Sequence, residues 1–482
     1  MASPAPAPVP IPASAPSPAR VTTVDPLIAG RTVHSADRTT LTGVHGEPLA
    51  DIGQAPRLLA VSALRELRRH ADGTPPGAEV FRRAADLFGD AVLDGESPAE
   101  HIRRVALAAG LTAGTVRLAM AELAAEMREF PAVAAAELPA TDFGPGHRTR
   151  WVPRGRLFAA VLASNHPTPS SSWLQALFHG YSVLVRPGGR DPFTPRRLIA
   201  ALLRAGLSPH RIAFLPSAHT VGEFLLKEAD RGVVYGGDRA VAAWQDHETV
   251  AARGPGRAKA FVDIAPDDTV LDHLAAYAAF DGGTRCTNLS AVLTTGPVDE
   301  LADRLAHRLS ALPVLPATDP KAALPVLERG RAEQLRAQLA ALRETLTDHS
   351  ARLDLHDPFV ELDDGSFLPR PLVLSADRAG HPAVGTELPF PFVVVAPWRE
   401  DDGIAPLRRS LVLNLLTERA DLLDRAVLEP SIRKITTGTA LPWEVPHGIP
   451  HDGSYTQFLL EPKGLVGAGT HPRTEGETDE AT

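Results

Sequence analysis

The fold is decided by residues 157–265, where short apolar runs alternate with helical segments. The runs are LFAAVLA (157–163), VLV (183–185), IAFLP (212–216), GVVYGG (232–237) and AFVDIA (260–265), and the segments between them are SSWLQALFHG (171–180), TPRRLIAALLRAG (194–206) and TVGEFLLKEAD (220–230). This alternation predicts a parallel sheet with helical crossovers, the framework on which dinucleotides bind at the carboxyl ends of strands. No Gly-x-Gly-x-x-Gly fingerprint opens the stretch, so we predict a variant Rossmann-like domain.

The flanking regions complete an α/β fold of two domains with an N-terminal helical region. Apolar residues at three- and four-residue steps predict helices from about Arg57 to Met127, one of them around Val116–Met127. Strand-like runs return at PLVLSA (371–376), PFVVVAPW (391–398) and LVLNLLT (411–417) and predict a second α/β domain. We expect a disordered Pro/Ala tail (1–20), the helical layer with the cofactor domain (21–265, core 150–265), a catalytic domain (266–425), a C-terminal return and oligomerisation segment (426–465) and a disordered tail (466–482).

Composition narrows the class of protein. The 482 residues carry 49 basic and 58 acidic side chains, a formal charge of −9, without a dominant basic block, which argues against a nucleic-acid partner. The single cysteine forms no internal disulfide, and no run of about eighteen apolar residues indicates a membrane span. Residues 2–19 lack the basic start of a secretory signal. We therefore expect a soluble, cytoplasmic protein.

The single cysteine, Cys286, lies in Gly282-Gly283-Thr284-Arg285-Cys286-Thr287-Asn288. Glycines allow close approach of the backbone to a substrate, and the amino end of a following helix would stabilise a thiolate. The alternative is a buried, unreactive cysteine, because a free cysteine is often a small core residue. No motif in the chain calls for a metal.

The residues around Cys286 resemble the Gly-x-Cys-x-Asn segment of the aldehyde dehydrogenase superfamily. The resemblance implies that Cys286 attacks an aldehyde or acyl carbonyl and forms a thiohemiacetal or thioester. Asn165, in Ser164-Asn165-His166-Pro167, resembles the family's Asn-x-Pro segment, which implies an amide that donates to the developing oxyanion. An asparagine before a proline is otherwise a common turn former.

Three further segments resemble the family's cofactor site. Arg186, in VLVRP (183–187), takes the place of the family's Lys before Pro, and an arginine favours NADP over NAD because it binds a 2′-phosphate in bidentate fashion. Gly236 and Gly237 resemble the turn at the pyrophosphate, followed by a helix start. Glu387, in ELPFPF (387–392), resembles the carboxylate that holds the nicotinamide ribose, although the Phe-Gly pair of that segment is replaced. A surface arginine, turn glycines and a loop glutamate are the structural alternatives.

One family signature is missing. Hydrolytic members carry Glu-Leu-Gly-Gly-Lys, whose glutamate activates water, but Gly254–Ala260 here reads GPGRAKA without a carboxylate. The thioester should then persist until a thiol or a hydride removes the acyl group. This absence, the Tyr-Gly-Gly turn and Pro450-His451-Asp452-Gly453 resemble the bacterial acyl-CoA reductases that supply aldehyde to luciferase. His451 and Asp452 would then serve acid/base or structural roles.

The expected activity is reduction of an acyl thioester, on CoA or an acyl carrier protein, to an aldehyde with NADPH (or NADH), or the reverse CoA-acylating oxidation, in a homo-oligomer. An aldehyde dehydrogenase that hydrolyses its thioester with another base is the first alternative. The others are an inactive relative that serves as an oligomeric scaffold and a cysteine hydrolase with a Cys-His dyad. Only the enzyme hypotheses require Cys286.

Overall fold

The computed structural model describes residues 21–139, 141, 143, 147–353 and 356–467. The expected N-terminal tail (1–20) and most of the expected C-terminal tail (466–482) lie outside these residues. The first described segment forms short strands that the sequence did not suggest, because all are only two to six residues long and most contain polar residues. They are β1 (Thr22–Val24), β2 (Leu27–Ile28), β3 (Arg31–Thr32), β4 (Arg38–Thr42) and β5 (Pro48–Gly53).

Four helices follow and confirm the predicted helical layer. They are α1 (Arg57–His70), α2 (Ala78–Asp90), α3 (Pro98–Ala109) and α4 (Ala113–Glu137). Each buries one apolar face, as Phe81 and Phe88 do in α2. Helix α3 starts with a capping box, in which the Ser97 side chain accepts from the Glu100 amide and the Glu100 carboxylate accepts from the Ser97 amide.

The first sheet, called the cofactor sheet below, has the strand order β11-β10-β7-β8-β9-β2-β3. The five strands β7 to β11 are parallel, with β2 and β3 added antiparallel at one edge. Strand β6 (His147–Pro153) precedes this sheet and is not part of it. The strands of the sheet after β6 and the helices between them are β7 (Leu157–Val161), α5 (Ser171–Phe178), β8 (Ser182–Arg186), α6 (Phe193–Ala205), β9 (Ile212–Phe214), α7 (His219–Glu228), β10 (Arg231–Tyr235), α8 (Asp238–Ala242) and β11 (Val250–Arg253). The predicted strand-helix alternation is confirmed.

The second sheet, called the catalytic sheet below, has the order β14-β17-β18-β13-β12-β19-β20 and is parallel except for β14. Its elements are β12 (Ala258–Val262), α9 (Asp268–Ala279), β13 (Leu289–Thr294), α10 (Val298–Ser310), α11 (Arg329–Arg343), β14 (Thr347–Asp348), β15 (Phe359–Glu361), β16 (Phe367–Pro369), β17 (Leu372–Ser375), β18 (Phe392–Pro397), β19 (Ser410–Leu416), α12 (Ala420–Leu428) and β20 (Ile432–Thr437). Strands β15 and β16 form a separate hairpin.

The boundary between the two sheets differs from the one expected at residue 265. The run AFVDIA forms β12, which pairs with β13 and β19 in the catalytic sheet and not with the cofactor sheet. A buried parallel strand is apolar along its whole length in either sheet, so its composition does not reveal which sheet it joins. The chain crosses between the sheets over residues 254–257.

The C-terminal segment expected at 426–465 contains two different parts. Residues up to Thr437 complete α12 and β20 of the catalytic sheet. Beyond them, α13 (Tyr455–Leu459) leads to β21 (Leu460–Val466), which pairs antiparallel with β6 in a two-stranded arm. Among the described residues, no single helix is long and apolar enough to cross a membrane; α3 and α4 meet that test only as a pair bent by 118°.

Candidate active site

The loop that carries Cys286 joins α9 to β13 and is shaped by left-handed backbone. Asp281, Gly282 and Gly283 have φ values of 50°, 70° and 72°. A Cβ on Gly283 would lie 2.5 Å from the backbone nitrogen of Pro391, so only glycine fits against that segment. The close approach is therefore to the protein's own backbone. A strand follows Cys286, which corrects the expectation of a helix whose amino end stabilises the thiolate.

Asn288 holds this loop in place from the inside. Its Oδ1 accepts from the Arg285 amide at 2.7 Å, while its Nδ2 donates to the carbonyl oxygens of Tyr277 at 3.1 Å and Phe280 at 3.0 Å. The side chain is buried, so the three bonds fix the turn on which Cys286 lies. The asparagine of the motif thus acts as a clamp for the backbone.

Asn165 reaches the same loop from the cofactor sheet. It lies after the carboxyl end of β7, and its Nδ2 donates to the Thr284 carbonyl oxygen at 3.0 Å across 119 positions of chain. Asn165 is exposed, and an amide carries two N–H groups, so one remains for a ligand. The structure brings the two predicted catalytic residues, Cys286 and Asn165, to one place.

Cys286 is partly exposed as a residue, but its thiol is enclosed by other groups. Burial first, and then the charge of Glu387, raise its pKa to about 11, while Arg285, its own backbone amide and Arg253 lower the pKa. In the absence of ligands the sulphur is therefore protonated at neutral pH. This differs from the thiolate-stabilising setting that the sequence suggested.

The link between the two sheets lies directly against Cys286. A Cβ on Gly256 would fall 1.8 Å from the Cys286 carbonyl oxygen, which makes glycine obligatory there. Just before it, at the end of β11, the Arg253 guanidinium forms an ion pair with the Asp452 carboxylate and lies 5.9 Å from the centroid of the Tyr455 ring. The strand end nearest Cys286 thus presents an arginine.

Glu387 lies in the connection between β17 and β18 and contacts the same link. Its Oε1 accepts from the Arg257 amide, and Arg257 in turn pairs with Asp238 at 2.6 Å. Burial raises the pKa of Glu387 to about 7. A carboxyl in this state exchanges protons near neutral pH and lies close enough to Cys286 to raise the pKa of the thiol.

Arg186 lines a cavity at the carboxyl end of the cofactor sheet. The cavity, about 210 Å³, lies between β4, the end of β5 and the loops at 187–192 and 216–217, and no acidic residue lines it. Arg186 is 7 % exposed and donates from Nε to the Ser217 carbonyl oxygen at 3.2 Å. Residues of this kind fit the phosphate-bearing end of a dinucleotide.

Gly236 and Gly237 form the turn between β10 and α8. A Cβ on Gly236 would lie 2.7 Å from that of Ala240, while nothing lies within 4 Å of one on Gly237. The turn opens on a depression of about 500 Å³ lined by residues 237–240, and α8 that follows is only five residues long. Backbone at this position is accessible to a ligand.

A polar cluster beside Cys286 was not foreseen from the sequence. The Arg285 guanidinium pairs with the Asp281 carboxylate at 2.5 Å and with the Glu122 carboxylate of α4 at 2.7 Å. The His166 Nε2 lies 3.3 Å from Asp281 Oδ2. One helical turn after Glu122, the Glu126 carboxyl has an Oε2 that is buried without a hydrogen-bond partner. Glu122 and Glu126 are four residues apart on one helix face, but that spacing is common on solvated faces.

His451 and Asp452, considered above for acid/base roles, have different surroundings. Asp452 pairs with Arg253 and, at 3.3 Å, with Arg433, so it acts as a counter-ion that joins the C-terminal segment to β11. His451 is exposed. The geometry supports a structural role for Asp452.

Comparison with known proteins identifies the family and the fold. The sequence pattern of the aldehyde dehydrogenase family matches residues 100–406. Malonate-semialdehyde dehydrogenase 3 of Geobacillus kaustophilus (strain HTA426) is 28 % identical over 162 residues, which are 31 % of this chain and 33 % of that protein; the match therefore spans about a third of the relative.

Two solved structures show the same fold at low identity. Indole-3-acetaldehyde dehydrogenase complexed with NAD⁺ superposes with a TM-score of 0.77 at 16 % identity, covering 92 % of this chain and 96 % of that one. The NAD⁺ complex of aldehyde dehydrogenase from Bacillus cereus gives a TM-score of 0.74 at 16 % identity, with the same two coverages. With the family pattern matched over more than half of its length, this chain belongs to the aldehyde dehydrogenase family.

Proposed function

We propose that this protein is an NADP-dependent oxidoreductase that interconverts an aldehyde and an acyl thioester through a covalent adduct on Cys286. The convergence of Cys286 and Asn165 from two sheets supports a nucleophile with an amide donor beside it. When bound, the dinucleotide supplies or accepts the hydride.

The residues of the chain divide the remaining work. In the oxidising direction the Cys286 thiol gives its proton to solvent and the sulphur attacks the aldehyde carbon. The alkoxide that forms accepts from the free N–H of Asn165 and from the Cys286 amide. Loss of hydride from that carbon leaves a thioester on Cys286. A thiol such as CoA then attacks the acyl carbon, leaves with the acyl group and returns the Cys286 sulphur; reduction runs the same steps backwards.

A single observation carries the preference for a thiol over water as the acyl acceptor. The strand end beside Cys286 carries Arg253, which is held by Asp452, and residues 254–260 contain no carboxylate. Water attacks a thioester slowly unless a base takes its proton, whereas a thiol such as CoA is a better nucleophile. The acyl group should therefore remain on Cys286 until a thiol or a hydride arrives.

Arg186 supports NADP as the preferred cofactor. Its guanidinium lines a cavity without acidic residues, so a 2′-phosphate there meets a cation and no repelling carboxylate. We expect Arg186→Ala to raise the KM for NADPH at least about tenfold and to change the KM for NADH little, because charge-assisted bonds contribute about 1.5–3 kcal/mol. Equal effects on both KM values would contradict this assignment.

A hydrolytic aldehyde dehydrogenase is the second candidate, and Glu387 is the observation that favours it. Its pKa of about 7 suits a general base, and its charge acts on Cys286. In that case Glu387 activates water, and the product is a carboxylic acid. In the first candidate Glu387 only holds the cofactor and the link at Arg257.

One experiment separates the two. NADPH absorbance is followed with a panel of acyl-CoAs, and NADP⁺ reduction is followed with aldehydes, including malonate semialdehyde, with and without CoA. The first candidate requires aldehyde oxidation that depends on CoA, while fast oxidation without CoA establishes the second. Glu387→Gln then raises the KM for the cofactor in the first case and abolishes acid formation in the second. Turnover that persists in Cys286→Ala overturns both.

The proposed reaction also implies partners and a compartment. CoA or an acyl carrier protein would deliver or remove the acyl group, and a cytoplasmic location would keep the single thiol reduced. An inactive scaffold predicts no turnover in any arm of the assay, and a cysteine hydrolase predicts turnover without a pyridine nucleotide.

A further inference from the structure

Three metal-ligating side chains meet far from Cys286, between α1 and the short 3₁₀ turn Pro209–Arg211 that precedes β9. Glu66 and His70 are one helical turn apart on α1, and His210 belongs to the turn. The Glu66 Oε1 lies 3.2 Å from His210 Nδ1 and 3.6 Å from His70 Nε2. The three ligand atoms are all within 4.8 Å of one another.

The two distances from the Glu66 oxygen match the first coordination shell of a small transition-metal ion. With metal–ligand bonds of about 2.0–2.1 Å, two ligands of a tetrahedral zinc ion are about 3.3 Å apart. The observed separations of 3.2 and 3.6 Å bracket that distance. The two imidazole rings lie with centroids 4.1 Å apart, and their ligand nitrogens lie within 4.8 Å of each other.

The ligand types indicate which cation would bind. Two imidazoles and one carboxylate suit zinc and neighbouring transition metals, whereas magnesium and calcium prefer oxygen ligands only. The other oxygen of Glu66, Oε2, accepts from Arg69 at 2.8 Å, which fixes the orientation of the carboxylate. Both histidines are partly exposed, which leaves a fourth position for water.

We propose that Glu66, His70 and His210 form a surface site for a divalent transition-metal cation of the zinc class. The ion would join α1 to a turn 140 residues away in the chain, beside the Arg211–Asp72 ion pair at 2.6 Å. The turn lies at the amino end of β9, opposite the cavity at Ser217 beyond its carboxyl end. The role is therefore structural and independent of the proposed reaction.

The test uses the full-length protein without a histidine tag, in a Cys286→Ala background that removes the thiol as a competing ligand. After chelation and dialysis, Zn²⁺ is titrated by calorimetry, and thermal unfolding is measured with Zn²⁺ and with Mg²⁺. We expect one tight Zn²⁺ per chain, a higher Tm with Zn²⁺ and no effect of Mg²⁺. His70→Ala and His210→Ala should each weaken binding at least about tenfold, because each removes one of the three protein ligands that the ion would have.

The exposed histidine of α10 provides a matched control, since His307→Ala removes an imidazole elsewhere and should leave binding unchanged. Glu66→Gln tests the carboxylate without changing its shape. The cluster is only a hydrogen-bonded His-Glu-His group if Zn²⁺ affinity is the same in both histidine variants, or if the parent protein binds no Zn²⁺, and either result overturns the proposal.

Discussion

Two asparagines contact the loop of Cys286, and their surroundings assign them opposite tasks. Asn288 is buried with three hydrogen bonds to the backbone of its own loop and helix, whereas Asn165 is exposed and makes one bond to Thr284. A buried group that loses its partners costs about 1–3 kcal/mol, while an exposed one costs little. The stabilising role of Asn288 and the catalytic role that we propose for Asn165 thus belong to two different residues of the same type.

We expect Asn288→Ala to lower the free energy of unfolding by about 2 kcal/mol or more, because it leaves buried backbone groups unpaired. Asn165→Ala should instead lower kcat about a hundredfold, as loss of an oxyanion donor does, and leave the Tm within one or two degrees. Thermal unfolding and steady-state kinetics on both variants check this. A large loss of Tm in Asn165→Ala would mean that its bond to Thr284 is chiefly structural.

Glu126 makes stability depend on pH. Burial raises the pKa of its carboxyl from 4.5 to about 7, so the folded protein binds this proton more tightly than the unfolded chain does. The contribution of Glu126 to stability therefore falls by about 3 kcal/mol as pH rises from about 4.5 to about 7, and it stays low above pH 7.

Glu126→Gln should accordingly be more stable than the wild type at pH 8 and equal to it near pH 4.5, as measured by denaturant unfolding at both values. Glu333→Gln, an exposed residue of α11, serves as the control and should change stability at neither pH. A stability gain that is the same at both pH values would show that titration of Glu126 is not the cause.

The motifs around Cys286 and Asn165 were accessible from the sequence because each is a short continuous segment. Arg253 and Glu126 were not, and Asp452 was noticed only through a resemblance that left its role open, since the role of each depends on which strand end or helix face lies beside the cysteine. Even within the motif, the raised pKa of the Cys286 thiol reflects enclosure by residues such as Glu387, about a hundred positions away.

At the scale of elements, the link from β11 to β12 has the tightest contact with the site. Gly256→Ala forces its Cβ into the Cys286 carbonyl oxygen, so the link or the catalytic loop must shift. A displacement of about 1 Å can cost a hundredfold in rate, so we expect kcat to fall by that order. Gly330→Ala, in α11 with nothing within 4 Å of the new Cβ, should leave kcat unchanged and slightly raise the Tm.

Kinetics and circular dichroism on the two glycine variants provide the measurement. If Gly256→Ala is folded and retains its full kcat, the contact does not position Cys286.

The position of the link could not be predicted from the sequence, because the apolar run of β12 fits either sheet. The strands β1 to β5 were missed for a related reason: short, half-polar segments carry no clear alternation.

At the scale of the whole molecule, the sheets of the two domains are separate, but the residues that we propose as catalytic follow strands or helices of both domains. Strands β6 and β21 form the two-stranded arm described above. The last two residues of β21 are apolar and solvent-exposed: Leu465 is 42 % exposed and Val466 is 80 % exposed. An exposed strand with apolar side chains offers backbone groups for pairing with another chain. This arm is our candidate for the contact that builds a homo-oligomer.

Light scattering after size exclusion should therefore give a mass that is a multiple of 51.2 kDa. The double variant Leu465→Asp with Val466→Asp should lower that mass, because two charges oppose burial of the strand. Leu428→Asp, on α12 and 81 % exposed, is the control and should not change it. A wild-type mass of one chain would show that the arm has no such role.

The main-chain contact between Gly256 and Cys286 also bears on how this enzyme can be re-engineered. The link at residues 254–257 joins the two sheets, so a change of the angle between them would reach the nucleophile through backbone atoms alone. A directed-evolution library aimed at new substrates should keep this link constant. It should diversify instead the α4 face of Glu122 and Glu126, where side chains lie beside the catalytic loop without supporting its backbone.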